Sequence, residues 1–162
     1  FLYEETAADF SPLGRLSRLE TLRLRNMRRP VGDLRFLSGM ESLRVLKLEG
    51  VEFFNERAIG SLPSLRELVL NKVVSLPGNS VDLGFAATLP RLTRLQLTGL
   101  DLEGGESLRG LRGLEHLEMT RCSGVKDLSP IQSLPNLQRF IVSRGTYSRA
   151  RLRPFRGILL QR

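Results

Sequence analysis

Few side chains in this 162-residue sequence suit covalent or metal chemistry. Cys122 and His116 are the single members of their types, and a cysteine with a histidine is on paper a nucleophile with its base. A structural zinc ion takes four such ligands, so one of each gives no zinc site. Gly104-Gly105-Glu106-Ser107 resembles a phosphate loop only in its glycines; no Gly-Lys follows, and it reads as a turn. Glu4, Glu5 and Asp9 form a loose acidic cluster, better read as a solvated edge than as an acid–base pair. The expectation is therefore a non-enzymatic protein with no catalytic residues, no metal, no cofactor and no small-molecule substrate.

Charge is the more informative chemistry. The 25 basic residues comprise 22 Arg and only Lys47, Lys72 and Lys126, and they exceed the acids by eight. Six of the arginines (Arg144, Arg149, Arg151, Arg153, Arg156 and Arg162) lie in residues 144–162, which contain no acid. Taking those six from the excess leaves +2 for residues 1–143. The chain thus divides into a nearly neutral body, 1–143, and an Arg-rich C-terminal segment, 144–162. Guanidinium groups suit bidentate contacts to phosphate or carboxylate, which makes Arg144, Arg149, Arg151, Arg153 and Arg156 candidate contacts to RNA or to an acidic partner. An arginine bias of a GC-rich coding sequence would leave the same composition.

The elements that position these groups follow from one recurring spacing. Leu16, Leu19, Leu22 and Leu24 are an apolar ladder with gaps of two, two and one. Met40, Leu43, Leu46 and Leu48 repeat it, as do Leu62, Leu65, Leu68 and Leu70, then Leu89, Leu92, Leu95 and Leu97. Leu111, Leu114, Leu117 and Met119 follow, and Leu134, Leu137, Phe140 and Val142 close the run. The third ladder residue recurs after 24, 22, 27, 22 and 23 positions. Within each unit the last part alternates with period two, which predicts short strands at about 20–25, 44–49, 66–71, 93–98, 115–120 and 138–143. The return paths read as short helices, 3₁₀ turns or irregular chain, with Asn55 and Asp82 as helix caps. The longest unit, around 74–82, reads as an inserted loop.

Six such ladders resemble the leucine-rich repeat superfamily, over roughly residues 9–143. The stretch Cys122 to Pro130 looks like the cysteine-containing repeats of some protozoan members. The resemblance implies an α/β solenoid: a curved right-handed coil with parallel strands on the concave face and short helices, 3₁₀ turns or irregular segments on the convex face. In the family's common pattern the third residue after the last ladder leucine is Asn or Cys. Here those positions are Met27, Val51, Val73, Leu100, Cys122 and Gly145, so only Cys122 matches and the arc should be less regular than the family norm. Asp9-Phe10-Ser11-Pro12-Leu13 matches Asp127-Leu128-Ser129-Pro130-Ile131, which makes Phe1 a mid-strand residue. Leu152, Phe155, Ile158 and Leu160 revive the ladder and suggest a short capping strand at 157–161. Phe1-Leu2-Tyr3 and Ile158-Leu159-Leu160 are apolar enough to need a cover, from further repeats or a partner.

Alternation assigns the side chains between the rungs to one open face. Its rows are Thr21, Arg23, Arg25; Val45, Lys47, Glu49; Glu67, Val69, Asn71; Arg94, Gln96, Thr98; His116, Glu118, Thr120; and Arg139, Ile141, Ser143. Five cations, three anions and three aliphatic centres suit a protein partner better than bare nucleic acid. Two function classes stand. One is a protein-interaction or scaffolding module within a larger assembly. The other is a structural subunit of a ribonucleoprotein, such as a ribosome or mitochondrial ribosome, with the C-terminal arginines on RNA. The single cysteine and the absence of Asn-x-Ser/Thr acceptors lean towards an intracellular setting, cytoplasm or mitochondrial matrix. No apolar stretch approaches the ~20 residues of a membrane helix.

Overall fold

A computed structural model describes residues 8–143 and 146–161. Seven short parallel strands run side by side in chain order: β1 (Thr21–Arg25), β2 (Val45–Glu49), β3 (Glu67–Asn71), β4 (Arg94–Thr98), β5 (His116–Thr120), β6 (Arg139–Val142) and β7 (Leu159–Gln161). The first six fall where the ladders place them. Leu22, Leu46, Leu68, Leu95, Leu117 and Phe140 are register partners on adjacent strands, and all are buried. Removing one such leucine from water contributes about 1.5–3 kcal/mol, so the rungs supply the main drive for stacking the coils.

Each coil returns by a 3₁₀ segment: Ser11–Arg15, Leu34–Gly39, Glu56–Ser61, Leu83–Thr88 and Gly105–Gly110. The sixth uses one α-helical turn, Ser129–Gln132. Asp82 caps its segment as expected, its Oδ1 accepting from the Gly84 N–H at 2.8 Å. Asn55 does not cap. It occupies the position before Glu56–Ser61 in a left-handed conformation (φ 61°), and its amide instead donates to Asp33 Oδ1 at 3.2 Å. Neighbouring segments approach so closely that a Cβ on Gly39 would stand 2.1 Å from the Gly14 carbonyl oxygen.

The missing asparagine ladder does not disorder the sheet. Each strand from β1 to β5 ends on a residue with positive φ: Asn26, Gly50, Lys72, Gly99 and Arg121. That twist turns the backbone N–H towards the next coil. Asn26, Gly50, Lys72 and Gly99 donate to the carbonyls of Glu49, Asn71, Thr98 and Thr120 at 2.8–2.9 Å, and Arg121 to the Ser143 hydroxyl at 2.7 Å. Val51, Val73 and Leu100 fill the turn with buried carbon where the family norm has an amide. The irregularity falls on the far side of the turn. There short parallel pairings link Gly32–Asp33, Glu52–Phe54 and Val74–Ser75, and separately Val81–Asp82 and Leu102–Glu103. The break between the two groups is the inserted 74–82 unit.

The C-terminal segment is folded onto the solenoid. Ser148 caps a helical turn over Arg149–Leu152, its Oγ accepting from the Arg151 N–H at 3.4 Å. Phe155 packs against Phe140 with ring centroids 4.8 Å apart and the rings tilted by 56°, and it closes the core end. Tyr147 donates its hydroxyl to the Val125 carbonyl at 2.9 Å, and Arg151 Nη1 donates to the Lys126 carbonyl at 2.8 Å. A seventh strand exists, but not in the register that Ile158 and Leu160 suggest. Leu159 partners Phe140 and Leu160 partners Ile141. The one-residue slip reverses the faces, so Leu160 joins the open face and is 46% exposed. Phe1-Leu2-Tyr3, Glu4, Glu5, Arg144, Gly145 and Arg162 lie outside the described residues.

Candidate binding face

Strand pairing sets the outward side chains in three rows. The first is Thr21, Val45, Glu67, Arg94, His116 and Arg139. The second is Arg23, Lys47, Val69, Gln96, Glu118, Ile141 and Leu160. The third is Arg25, Glu49, Asn71, Thr98 and Thr120, with Ser143 following β6. Rungs about 4.8 Å apart make each row a line of neighbours. Every candidate on the open face falls into this grid.

The charges are not distributed as independent ions. Glu49 sits between Arg23 and Arg25, with Nε–Oε distances of 3.7 and 3.5 Å. Lys47 pairs with Glu67 from the adjacent strand, and both side chains are largely covered. Arg94 and Arg139 have no carboxylate partner among the described residues, and they flank His116 in the first row. Glu118 accepts from the Thr120 hydroxyl at 3.5 Å, and the Thr98 and Thr120 hydroxyls are 3.1 Å apart.

Two of the expected apolar centres are covered. Val69 is 6% exposed and Ile141 is 5% exposed, although both point to the open side. Val69 lies between Lys47 and Gln96 on the adjacent strands, and Ile141 lies between Glu118 and Leu160. The accessible apolar group at this end is Leu160, which the ladder spacing had turned inward. Two polar atoms on the face, Asn71 Oδ1 and His116 Nδ1, are buried without a hydrogen-bond partner among the described residues. Such orphans are few in folded proteins and need a reason.

Cys122 and His116 do not form a pair. His116 is on the open face, whereas Cys122 sits in the turn, packed against the core, with its thiol donating to the Leu97 and Thr120 carbonyls at 3.4 Å. Burial pushes that thiol above its ordinary pKa, against the opposite pull of hydrogen bonds from the Leu100 and Gly99 backbone. Thiolate is the reactive form, so the site favours packing over nucleophilic attack. No group of three or more His, Cys, Asp or Glu among the described residues is placed to hold a metal ion. No helix among them is long and apolar enough to cross a membrane.

The described arginines of the C-terminal segment are not displayed together on a free arm. Arg149, Arg153 and Arg156 are exposed on the last coil, whereas Arg151, also exposed, is held by the Lys126 carbonyl. The signal for the strand-ending corners was partly present, because Asn26, Gly50 and Gly99 are residue types that tolerate positive φ. Lys72 and Arg121 carry no such signal.

No family model matches this sequence, and no curated protein matches it. Solved structures do match. The leucine-rich repeat ectodomain of the Arabidopsis thaliana membrane receptor kinase GASSHO1/SCHENGEN3, solved with CASPARIAN STRIP INTEGRITY FACTOR 2, is similar with TM-score 0.67 and 25% identity over 82% of this chain. An internalin of Listeria monocytogenes gives TM-score 0.67 and 17% identity over 94% of the chain. A leucine-rich repeat protein of Leptospira interrogans gives 0.66 and 14% over 96%. The chain spans 17%, 50% and 47% of these three proteins respectively. In-register rungs, 3₁₀ returns and these neighbours agree: the chain has the leucine-rich repeat fold, an α/β solenoid with its parallel strands on the concave side.

Proposed function

We propose that this chain is a non-enzymatic module that binds a protein or peptide along its concave sheet face, as part of a larger assembly. The observation that carries the reading is the second half of the face. There Arg94 and Arg139 lack carboxylate partners among the described residues, and they flank His116. A partner that supplied acceptors there would satisfy what the chain leaves open. The GASSHO1/SCHENGEN3 ectodomain was solved in complex with a second factor, which supports carrying a binding role to this chain. An intracellular setting rests only on the single cysteine and the absent glycosylation acceptors.

The alternative is a ribonucleoprotein subunit whose C-terminal arginines run along RNA. Residues 146–161 pack as a last coil that keeps Arg149, Arg153 and Arg156 exposed. Affinity capture with the intact chain, followed by identification of bound protein and RNA, separates the two. Capture of a protein partner that survives nuclease treatment and is lost with Arg23→Glu/Lys47→Glu/Arg94→Glu is the expected result. RNA retained by that variant, and lost between about 50 and 200 mM salt, would favour the alternative.

A further inference from the structure

We infer that Arg94, His116 and Arg139 form a carboxylate subsite on the concave face. It takes an acidic side chain of a peptide or protein whose neighbouring apolar side chain rests on Leu160. The inference rests on the concave-face reading above and adds the chemistry of the partner.

Four observations converge. The three side chains are register partners on β4, β5 and β6, so the two guanidinium groups stand one strand to either side of the imidazole. Both guanidinium groups are unmatched by acids among the described residues, unlike every cation on β1 and β2. The dip they line, with Gln96 and Glu118 beside them, holds about 100 Å³. That is well below the ~300–1,000 Å³ of small-molecule sites and about the size of one side chain. Two residues beyond Arg139 on β6 lies the covered Ile141, and beside it on β7 the half-exposed Leu160 supplies an accessible apolar group.

The neighbours choose carboxylate over nucleic acid. Glu118 borders the dip and would repel a run of phosphates, whereas a single carboxylate on the far row keeps away from it. No Phe, Tyr or Trp lies in the three rows to stack a base. Arg94 and Arg139 both line the dip, and the guanidinium fork matches the planar geometry of a carboxylate. From His116 to Leu160 is about 9.6 Å across the strands and about 6.6 Å along them, so an extended partner would carry its acid and its apolar residue three or four positions apart.

The test is selection of a random decapeptide library on the intact chain, with Arg94→Glu/Arg139→Glu as the comparison. An acid fixed three or four positions from a large apolar residue is expected, and individual peptides should lose about tenfold or more in affinity for the double variant. Selection on that variant should replace the acid with Lys or Arg. Leu160→Ser should relax only the apolar preference. Peptides that bind without an acidic preference, and that Arg23→Glu/Lys47→Glu displaces, would overturn the subsite and leave the concave-face reading standing. Peptides indifferent to both variants, or no enrichment, would overturn both. A single-stranded RNA 20-mer bound with the same dependence on Arg94 and Arg139, with no acidic peptide selected, would also overturn the subsite.

Discussion

The two halves of the concave face share one backbone and differ in how they treat charge. On β1 to β3, Arg23 and Arg25 bracket Glu49, and Lys47 pairs with Glu67 across the strand gap. On β4 to β6, Arg94 and Arg139 flank His116 without a carboxylate of their own among the described residues. The first half has answered its own charges; the second presents them. Identical scaffolding therefore does not mean identical surface. Where side chains stand about 4.8 Å apart on neighbouring rungs, one residue change in a row decides between an internal ion pair and an open site.

The strongest way to break the comparison is to remove the common scaffold. Leu68 lies in β3 at the centre of the rung line and is fully buried. Leu68→Arg puts an unpaired charge there and should cost several kcal/mol, seen as a large drop in the thermal midpoint by circular dichroism. A variant melting with the parent would refute the stacked-rung core on which both halves ride. Backbone proximity comes next. Gly39→Ala drives a Cβ against the Gly14 carbonyl and should cost about 1–3 kcal/mol. Gly157→Ala, near the other end, meets nothing within 4 Å and should stay within about 0.5 kcal/mol.

Charge itself is the third test, and it addresses the contrast directly. Lys47→Ala strands Glu67 in a partly covered position and should destabilise the fold by about 0.5–1 kcal/mol in urea titration. Arg94→Ala loses no ion pair and should change stability by less than about 0.5 kcal/mol, or raise it slightly. Equal losses at the two positions would erase the distinction between the halves. The smallest effect concerns acid. Desolvation raises the Asp33 carboxyl, but hydrogen bonds from the Arg35 and Asn55 N–H groups and the Arg35 charge outweigh it, and its pKa is net lowered. Its folded pKa thus lies below its unfolded one of about 3.9. Its stabilising contribution is whole above that pH and disappears as pH falls through the folded value. Asp33→Asn should therefore lie below the parent in melting temperature near neutral pH and converge on it in acid. A constant difference down to about pH 2 would rule this linkage out.

The rungs were legible because a buried leucine in every coil is a one-dimensional signal. Leu46, Leu68, Leu95 and Leu117 announce their strands and their register. The outward grid followed from alternation alone. Other features were not legible, each for a physical reason. Lys72 and Arg121 adopt the left-handed corner conformation because the coil above demands it, against their own preference. Asn55 resembled a cap, but its backbone is left-handed where a cap residue is extended, and its NH2 donates to Asp33 one coil away. The last ladder misplaced Leu160, because β7 pairs one residue out of the extrapolated register. The arginines of 144–162 looked like a free arm, since composition does not reveal that Phe155 and Tyr147 anchor the segment.

By itself the chain's order of residues determined the period, the inward rungs and the identity of the outward side chains on β1 to β6. These depend only on local alternation and on removing apolar surface from water. The stacking of coils decided the rest: which cations meet acids, which aliphatic groups on the open side are covered, and how the final strand registers. Those outcomes depend on neighbours one repeat away, about 20 or more positions distant in the chain but adjacent in the sheet.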